Sequence, residues 1–229
     1  MRSHSVARTI LATVMVVAAL ALSACTSSAA SDEVVVSTVA VAGELRVAFY
    51  GDSYTRGTGA STEERRWSTV LAEQRGWSEF NPSVSGLGFV RNRTIFGEGD
   101  LPSFIIADNP DIVIVTMGLN DNFTFDTQSA ELRAQIVDDF DRLVTGLPDA
   151  RLIVVEPFWY KAERPASVDV IISWVHDAAT VVGADYIPDA SYWLAGQPEW
   201  MASDSLHPND AGHAAIASQL DQALRTLGL

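Results

Sequence analysis

Four short blocks of this sequence hold residue types that together do nucleophilic chemistry. Ser53 stands in Gly51-Asp52-Ser53-Tyr54-Thr55, and Gly86 closes Ser83-Val84-Ser85-Gly86. Asn120 stands in Gly118-Leu119-Asn120-Asp121, and Asp204 precedes His207 by three residues in Asp204-Ser205-Leu206-His207-Pro208-Asn209. A serine hydroxyl is a poor nucleophile until a base takes its proton as it attacks a carbonyl. His207 offers that base. Asp204, on the same turn, can hold one imidazole nitrogen and stabilise the cation that forms. The tetrahedral intermediate of such a reaction carries an anionic oxygen that preplaced donors must meet. Taken singly, each residue has a plainer reading: a helix N-cap for Ser53, a turn for Asn120, a surface loop for Asp204 and His207. Only their combination points to catalysis.

Groups so far apart in sequence react only if the fold delivers them to one place. Leu45 to Tyr50 is a short apolar run stopped by Gly51, which predicts a buried strand. Asp111 to Met117, β-branched and stopped by Gly118, is the clearest strand in the chain. Further strands are expected around Phe80 to Val84, over Arg151 to Val155 and over Ala184 to Ile187. Helical spacing covers Glu63 to Arg75, Ser129 to Val144, Ala166 to Val182 and Asn209 to Leu227. This alternation predicts the α/β class, a parallel sheet with helices on both faces. In such sheets the chemistry gathers beyond the carboxyl ends of the strands. Ser53, Gly86 and Asn120 each follow an expected strand, and the Asp204–His207 block precedes the last helix.

The order and wording of these blocks resemble the SGNH (GDSL) hydrolases, a family of serine esterases and lipases, over about Leu45 to Ile216. The first, third and last blocks are specific together, whereas the glycine block alone is weak. The resemblance implies a three-layer α/β/α sandwich with a central, mostly parallel five-stranded sheet, flavodoxin-like in architecture. It implies hydrolysis of carboxylic esters by a triad of Ser53, His207 and Asp204. It also implies an oxyanion hole made by the backbone N–H groups of Ser53 and Gly86 and the side-chain amide of Asn120. A glycine is expected at 86 because a side chain would crowd the acyl group. Asp52 and Asp121 are expected to brace their loops, and His176 and His213 to pack or face solvent.

Rival signatures fail on spacing. There is no Gly-x-Ser-x-Gly elbow, since Tyr54 and Thr55 follow Ser53. No glycine-rich turn leads to a lysine, and no His-Glu-x-x-His occurs. A flavodoxin-type phosphate loop over Ser53 to Thr58 is the nearest competitor, but it leaves Asp204 and His207 without a purpose. No cofactor and no metal are called for. A lipid-anchored binding module of the same fold, holding a ligand without turnover, is the alternative function. The presence of all four reactive residues favours the enzyme.

The 229 residues are 48% hydrophobic and 19% charged, enough to bury a real core and unlike a disordered tail. Acidic residues outnumber basic ones 29 to 15, for a net charge of −14, and Lys161 is the single lysine. Such a surface repels phosphate backbones, which argues against nucleic acid as a partner.

The sole cysteine, Cys25, ends Leu22-Ser23-Ala24-Cys25, after Arg2, Arg8 and an apolar run from Ile10 to Leu22. That is the layout of a secretory signal, and the run is short for a membrane span. The tetrapeptide resembles the lipobox of bacterial lipoproteins, in which the cysteine is acylated and becomes the new N-terminus. Residues 1–24 are therefore read as a signal peptide, 25–42 as a lipidated tether and 43–229 as the hydrolase domain. The expected location is the outer face of the cell membrane. Cleavage removes two arginines and no acid, taking the net charge from −14 to −16.

The substrate is the least legible feature. Phe158, Trp159 and Tyr160 follow the fourth strand, and Tyr192, Trp193 and Trp200 precede the Asp204 block. Two readings stay open for them: site-mouth aromatics that stack on sugars or line an acyl pocket, or packing residues. Arg91 and Arg93 follow the glycine block; a solvated loop is the expected reading, and contact with a carboxylate or phosphate on the substrate is the alternative. Short acyl or acetyl esters of glycans or lipids are the expected substrates.

Overall fold

The computed structural model describes residues 43–229; the expected signal peptide and tether, with Cys25, lie outside them. Five strands form one sheet: β1 (Arg46–Tyr50), β2 (Ser78–Phe80), β3 (Ile112–Val115), β4 (Arg151–Val155) and β5 (Asp185–Ile187). Their order is β2-β1-β3-β4-β5 and every pairing is parallel. The register sets Val47 opposite Ile112 and Tyr50 opposite Val115, so β1 and β3 end side by side at the centre. The chain passes from β1 outward to β2, then crosses to β3 on the other side. That reversal opens a crevice beyond the strand ends.

Alternation along the strands divides the core into two halves. Val47, Phe49, Ile112 and Ile114 face α2 (Trp67–Arg75) and α6 (Asp210–Thr226), meeting Trp67, Leu71, Ile216 and Leu220. Ala48, Tyr50, Val113 and Val115 face α3 (Leu101–Asp108), α4 (Phe125–Gly146) and α5 (Ala166–Val181), meeting Ile105, Ile136, Phe140 and Val175. The result is the three-layer α/β/α sandwich expected, with a five-stranded sheet that is wholly parallel.

Three elements differ from the expected ones. The second strand ends at Phe80, because Pro82 has no N–H to give and Ser83 donates its hydroxyl to the Phe49 carbonyl at 3.2 Å. The helix expected over Glu63–Arg75 is split: Arg66 is extended between a 3₁₀ turn at Glu63–Arg65 and α2. Its guanidinium is held by Glu79 at 3.2 Å and by the Thr69 hydroxyl at 2.8 Å. Helix α3 was not expected, although its start is readable: Asp100 caps it by accepting from the Ser103 N–H at 3.0 Å, with Pro102 in the first turn.

Candidate active site

Strand β1 stops at Gly51, and Asp52 then caps a single helical turn, α1 (Ser53–Arg56), by accepting the Tyr54 N–H at 3.0 Å. This turn holds the Ser53 hydroxyl at the sheet's carboxyl edge. On the far side, the Asp204 Oδ1 accepts the N–H groups of Leu206 at 2.9 Å and His207 at 3.0 Å. The tight turn so formed brings Asp204 Oδ2 within 2.7 Å of His207 Nδ1. Asn209 then caps α6 and ties the turn down through its amide, which donates to the carbonyls of Glu199 and Met201.

These two loops meet. His207 Nε2 lies 3.0 Å from Ser53 Oγ, so serine, imidazole and carboxylate form one hydrogen-bonded row. Residues outside the sequence expectations clamp the meeting. Tyr54 is buried, stacks on Phe158 and donates its hydroxyl to the Leu206 carbonyl at 2.6 Å. Ser61 bonds Asp210 through both its N–H and its hydroxyl, each at 2.7 Å. Gly59 has φ +94°, and a Cβ there would come within 2.3 Å of the Pro208 carbonyl. Only a glycine lets the two loops approach this closely.

Gly86 and Asn120 reach the same cleft from the ends of β2 and β3. The requirement for glycine at 86 is conformational: φ is +80°, and an added Cβ would meet only the Asn92 amide, at 3.3 Å. The Asn120 amide donates to Asp52 Oδ2 at 3.0 Å and to the Leu87 carbonyl at 2.9 Å, while its Oδ1 accepts from Arg91 at 3.2 Å. Asn120 is thus fixed in orientation from three sides. An oxyanion in the cleft would compete with the Leu87 carbonyl for one amide proton.

The two flanking acids are buried braces. Asp121 accepts the N–H groups of Phe89, Val90 and Arg91 at 2.8, 3.0 and 3.2 Å, pinning the loop after Gly86. Burial raises its carboxyl even against those bonds. Burial also pushes the Asp52 carboxyl up to about 7, against the pull of the Tyr54 N–H and the Asn120 amide. Asp204 is the opposite case: bonded to the His207 ring and to two backbone N–H groups, it is held down at about 2. His213 is buried, accepts the Trp67 N–H at Nδ1 and is lowered to about 4 by loss of solvent. It is a packing residue, and His176 packs edge-on against Tyr186 near the surface.

The cleft has a volume of about 490 Å³ and is lined, besides the residues above, by Ser85, Arg91, Phe123 and Leu206. The three tryptophans are not part of its lining. Trp159 is buried and donates its indole N–H to the Glu163 carbonyl at 3.0 Å. Trp193 and Trp200 pack against the α2/α6 side of the core. The packing reading holds for all three. The solvated-loop reading fails for Arg93. Arg93 is committed to Asp139 and Asp100, whereas Arg91 lines the cleft, 5.3 Å from the centre of the Phe123 ring. Phe123 is 48% exposed and follows Asn120 by three residues, a position that sequence reasoning passed over.

Residues 49–215 match the model of the GDSL-like lipase/acylhydrolase family. The chain is 30% identical over 185 residues to GDSL lipase Rv0518 of Mycobacterium tuberculosis, covering 76% of this chain and 79% of that protein. Its fold is similar to the psychrotrophic esterase EstA from Pseudoalteromonas sp., with a TM-score of 0.63 at 17% identity, over 80% of this chain and 98% of that one. It is also similar to Axe2, an acetylxylan esterase from Geobacillus stearothermophilus, with a TM-score of 0.58 at 20% identity, over 81% and 94%.

Proposed function

Since the chain belongs to the GDSL-like lipase/acylhydrolase family and is a carboxylic ester hydrolase, we propose that Ser53 is its nucleophile, His207 its general base and Asp204 the base's partner. The observation that carries this is the continuous row from Ser53 Oγ through the imidazole to the Asp204 carboxylate. Ser53 attacks the ester carbonyl carbon while His207 Nε2 takes its proton. Asp204 stays ionised and stabilises the imidazolium. The oxygen that becomes negative is met by the Ser53 and Gly86 N–H groups and the Asn120 amide. The intermediate collapses, and His207 returns the proton to the departing alcohol. Water, deprotonated by the same histidine, then attacks the acyl-serine and releases the acid. The binding-module alternative leaves the serine–imidazole bond without a purpose.

A fluorophosphonate probe tests the assignment. Wild type should label covalently, and Ser53→Ala should lose labelling and ester hydrolysis together. Labelling retained in the variant would reassign the nucleophile.

We further infer that the substrates are short acyl or acetyl esters of glycans or lipids. An open cleft whose lining carries one exposed aromatic, Phe123, supports this. A series of acyl-chain lengths alongside O-acetylated glycans tests it; a maximum at long chains would exclude it.

We also propose that Cys25 carries a lipid that holds the domain at the outer membrane face, on the strength of the Leu22–Cys25 block. Cys25→Ser should abolish acylation and detergent partitioning. An unmodified mature N-terminus at another residue, read by mass spectrometry, would refute the anchor.

A further inference from the structure

Among the described residues, Arg91 is the one permanently charged residue that lines the cleft, and no acidic residue lines it. The chain carries an excess of acid, and most arginines near carboxylates are neutralised. Arg93 pairs with Asp100 and Asp139, Arg142 with Asp100, and Arg164 with Glu156 and Asp169. Arg91 has no carboxylate partner among the described residues; its side chain donates to Asn120 Oδ1 and lies over Phe123. The adjacent acids are spent elsewhere. Asp121 is turned to the backbone N–H groups of residues 89 to 91, and Asp52 to Tyr54 and Asn120.

The position is rigid at its base. The Arg91 N–H is held by Asp121, and the Arg91 carbonyl accepts the Gly88 N–H at 2.9 Å. The side chain is partly exposed and bonds the same asparagine that faces the cleft. A guanidinium has five donors in a planar fork, and one bond to Asn120 leaves the rest for a ligand. Desolvating such a cation without an anionic partner is costly, whereas a carboxylate or phosphate accepts two parallel bonds from it.

We propose that Arg91 selects esters that carry an anionic oxyacid group, carboxylate or phosphate, close to the scissile bond. This rests on the esterase reading above and adds the substrate's charge to it. The anion would sit on the Phe123 side of Asn120, with its oxygens on the free edge of the guanidinium. The overall negative charge of the protein would repel anionic substrates in bulk, so selection here is a short-range effect of one paired contact.

The experiment uses two matched pairs of esters. On the acyl side, 4-nitrophenyl hydrogen adipate is compared with 4-nitrophenyl hexanoate, which has the same number of acyl carbons and no charge. On the alcohol side, 1-butyrylglycerol 3-phosphate is compared with 1-butyrylglycerol. The readout is the ratio of kcat/KM for the charged over the neutral member. In wild type this ratio should exceed one for at least one pair. Which pair responds tells whether the anion lies on the acyl or the alcohol part. Arg91→Met should lower that ratio by about 10- to 100-fold, the worth of one charge-assisted contact, and Arg91→Lys should keep part of it. The wild-type ratio divided by that of Arg91→Met should fall as salt is raised from about 0.05 to about 0.5 M, because the bulk repulsion is common to both proteins and cancels.

A role confined to steadying Asn120 predicts something different. Arg91→Met would then slow both members of each pair equally and leave the ratio where it was. That result, or a salt-independent ratio near one, overturns the anion inference and leaves the esterase reading standing. Hydrolysis of none of the four esters by wild type, with no fluorophosphonate labelling, overturns both.

Discussion

The side-chain amide of Asn120 donates to the buried carboxylate of Asp52 at 3.0 Å, across 68 residues of sequence. One bond therefore ties the loop after β3 to the loop after β1, directly beneath Ser53. It aligns the amide and gives a buried carboxylate a partner, so each residue depends on the other.

Asn120→Ala removes both services. The donor acts mainly on charge that appears in the transition state, so kcat should drop by about 100- to 1000-fold with KM nearly unchanged. The Asp52 carboxylate loses a partner, so stability should fall by about 1–3 kcal/mol. Steady-state kinetics together with urea unfolding check both halves. A raised KM with kcat spared would make Asn120 a ligand contact instead.

Asp52 also has a pH signature. Its carboxyl is raised by burial from the ordinary 3.8 to about 7 in the folded protein. The folded state thus holds this proton over a range where the unfolded chain has lost it. Its contribution is full below about pH 4 and is lost as pH climbs through about 7. Asp52→Asn cannot titrate, so the stability of wild type relative to this variant should decline between pH 4 and 7. Melting temperatures of both proteins at several pH values measure the difference; a constant gap would show that Asp52 ionises normally.

The partner of the general base should stay ionised through the working pH range. Asp204 is held at about 2 by His207 and two backbone N–H groups, so it remains a carboxylate wherever the protein is used. Asp204→Asn should lower kcat strongly, because an amide neither stabilises the imidazolium nor fixes the tautomer. A wild-type maximum at strongly acid pH would point to a carboxylate mechanism.

Behind the site, Asp139 is fully buried and joins Tyr50, at 2.5 Å, to the Arg93 guanidinium, at 2.6 and 2.8 Å. Burial raises its carboxyl in spite of the arginine, a sign that desolvation is the larger effect. Asp139→Ala leaves Tyr50 without its acceptor and Arg93 short of one anion. The expected cost is about 3–5 kcal/mol, read by chemical denaturation. The loop from Gly86 to Gly99 is fastened through Arg93, so its amides should exchange faster with solvent deuterium. Unchanged protection in that loop would mean that Asp121, with Asp100 on Arg93, holds it without Asp139.

What the amino-acid sequence determined by itself is local in origin. The runs at Arg46–Tyr50 and Ile112–Val115 read as buried strands because β-branched and aromatic residues stopped by glycine leave little alternative. Asp204 and His207 are three residues apart, so one turn suffices to join them, and that pair was legible. The alternation of strands and helices then put Ser53, Gly86 and Asn120 at one edge of a parallel sheet. Tertiary structure decided the rest, because the deciding partners are remote. Nothing near Arg91 and Arg93 tells them apart, yet Asp139, 46 residues beyond Arg93, neutralises one and leaves the other facing the cleft. Trp159, Trp193 and Trp200 resemble site aromatics by position, and only the packing of α2 and α6 assigns them to the core side. The orientation of Asn120 needed Asp52, Leu87 and Arg91 in place at once. A side chain's neighbours along the chain predict its secondary structure; its charge balance and its exposure are set by neighbours across the fold.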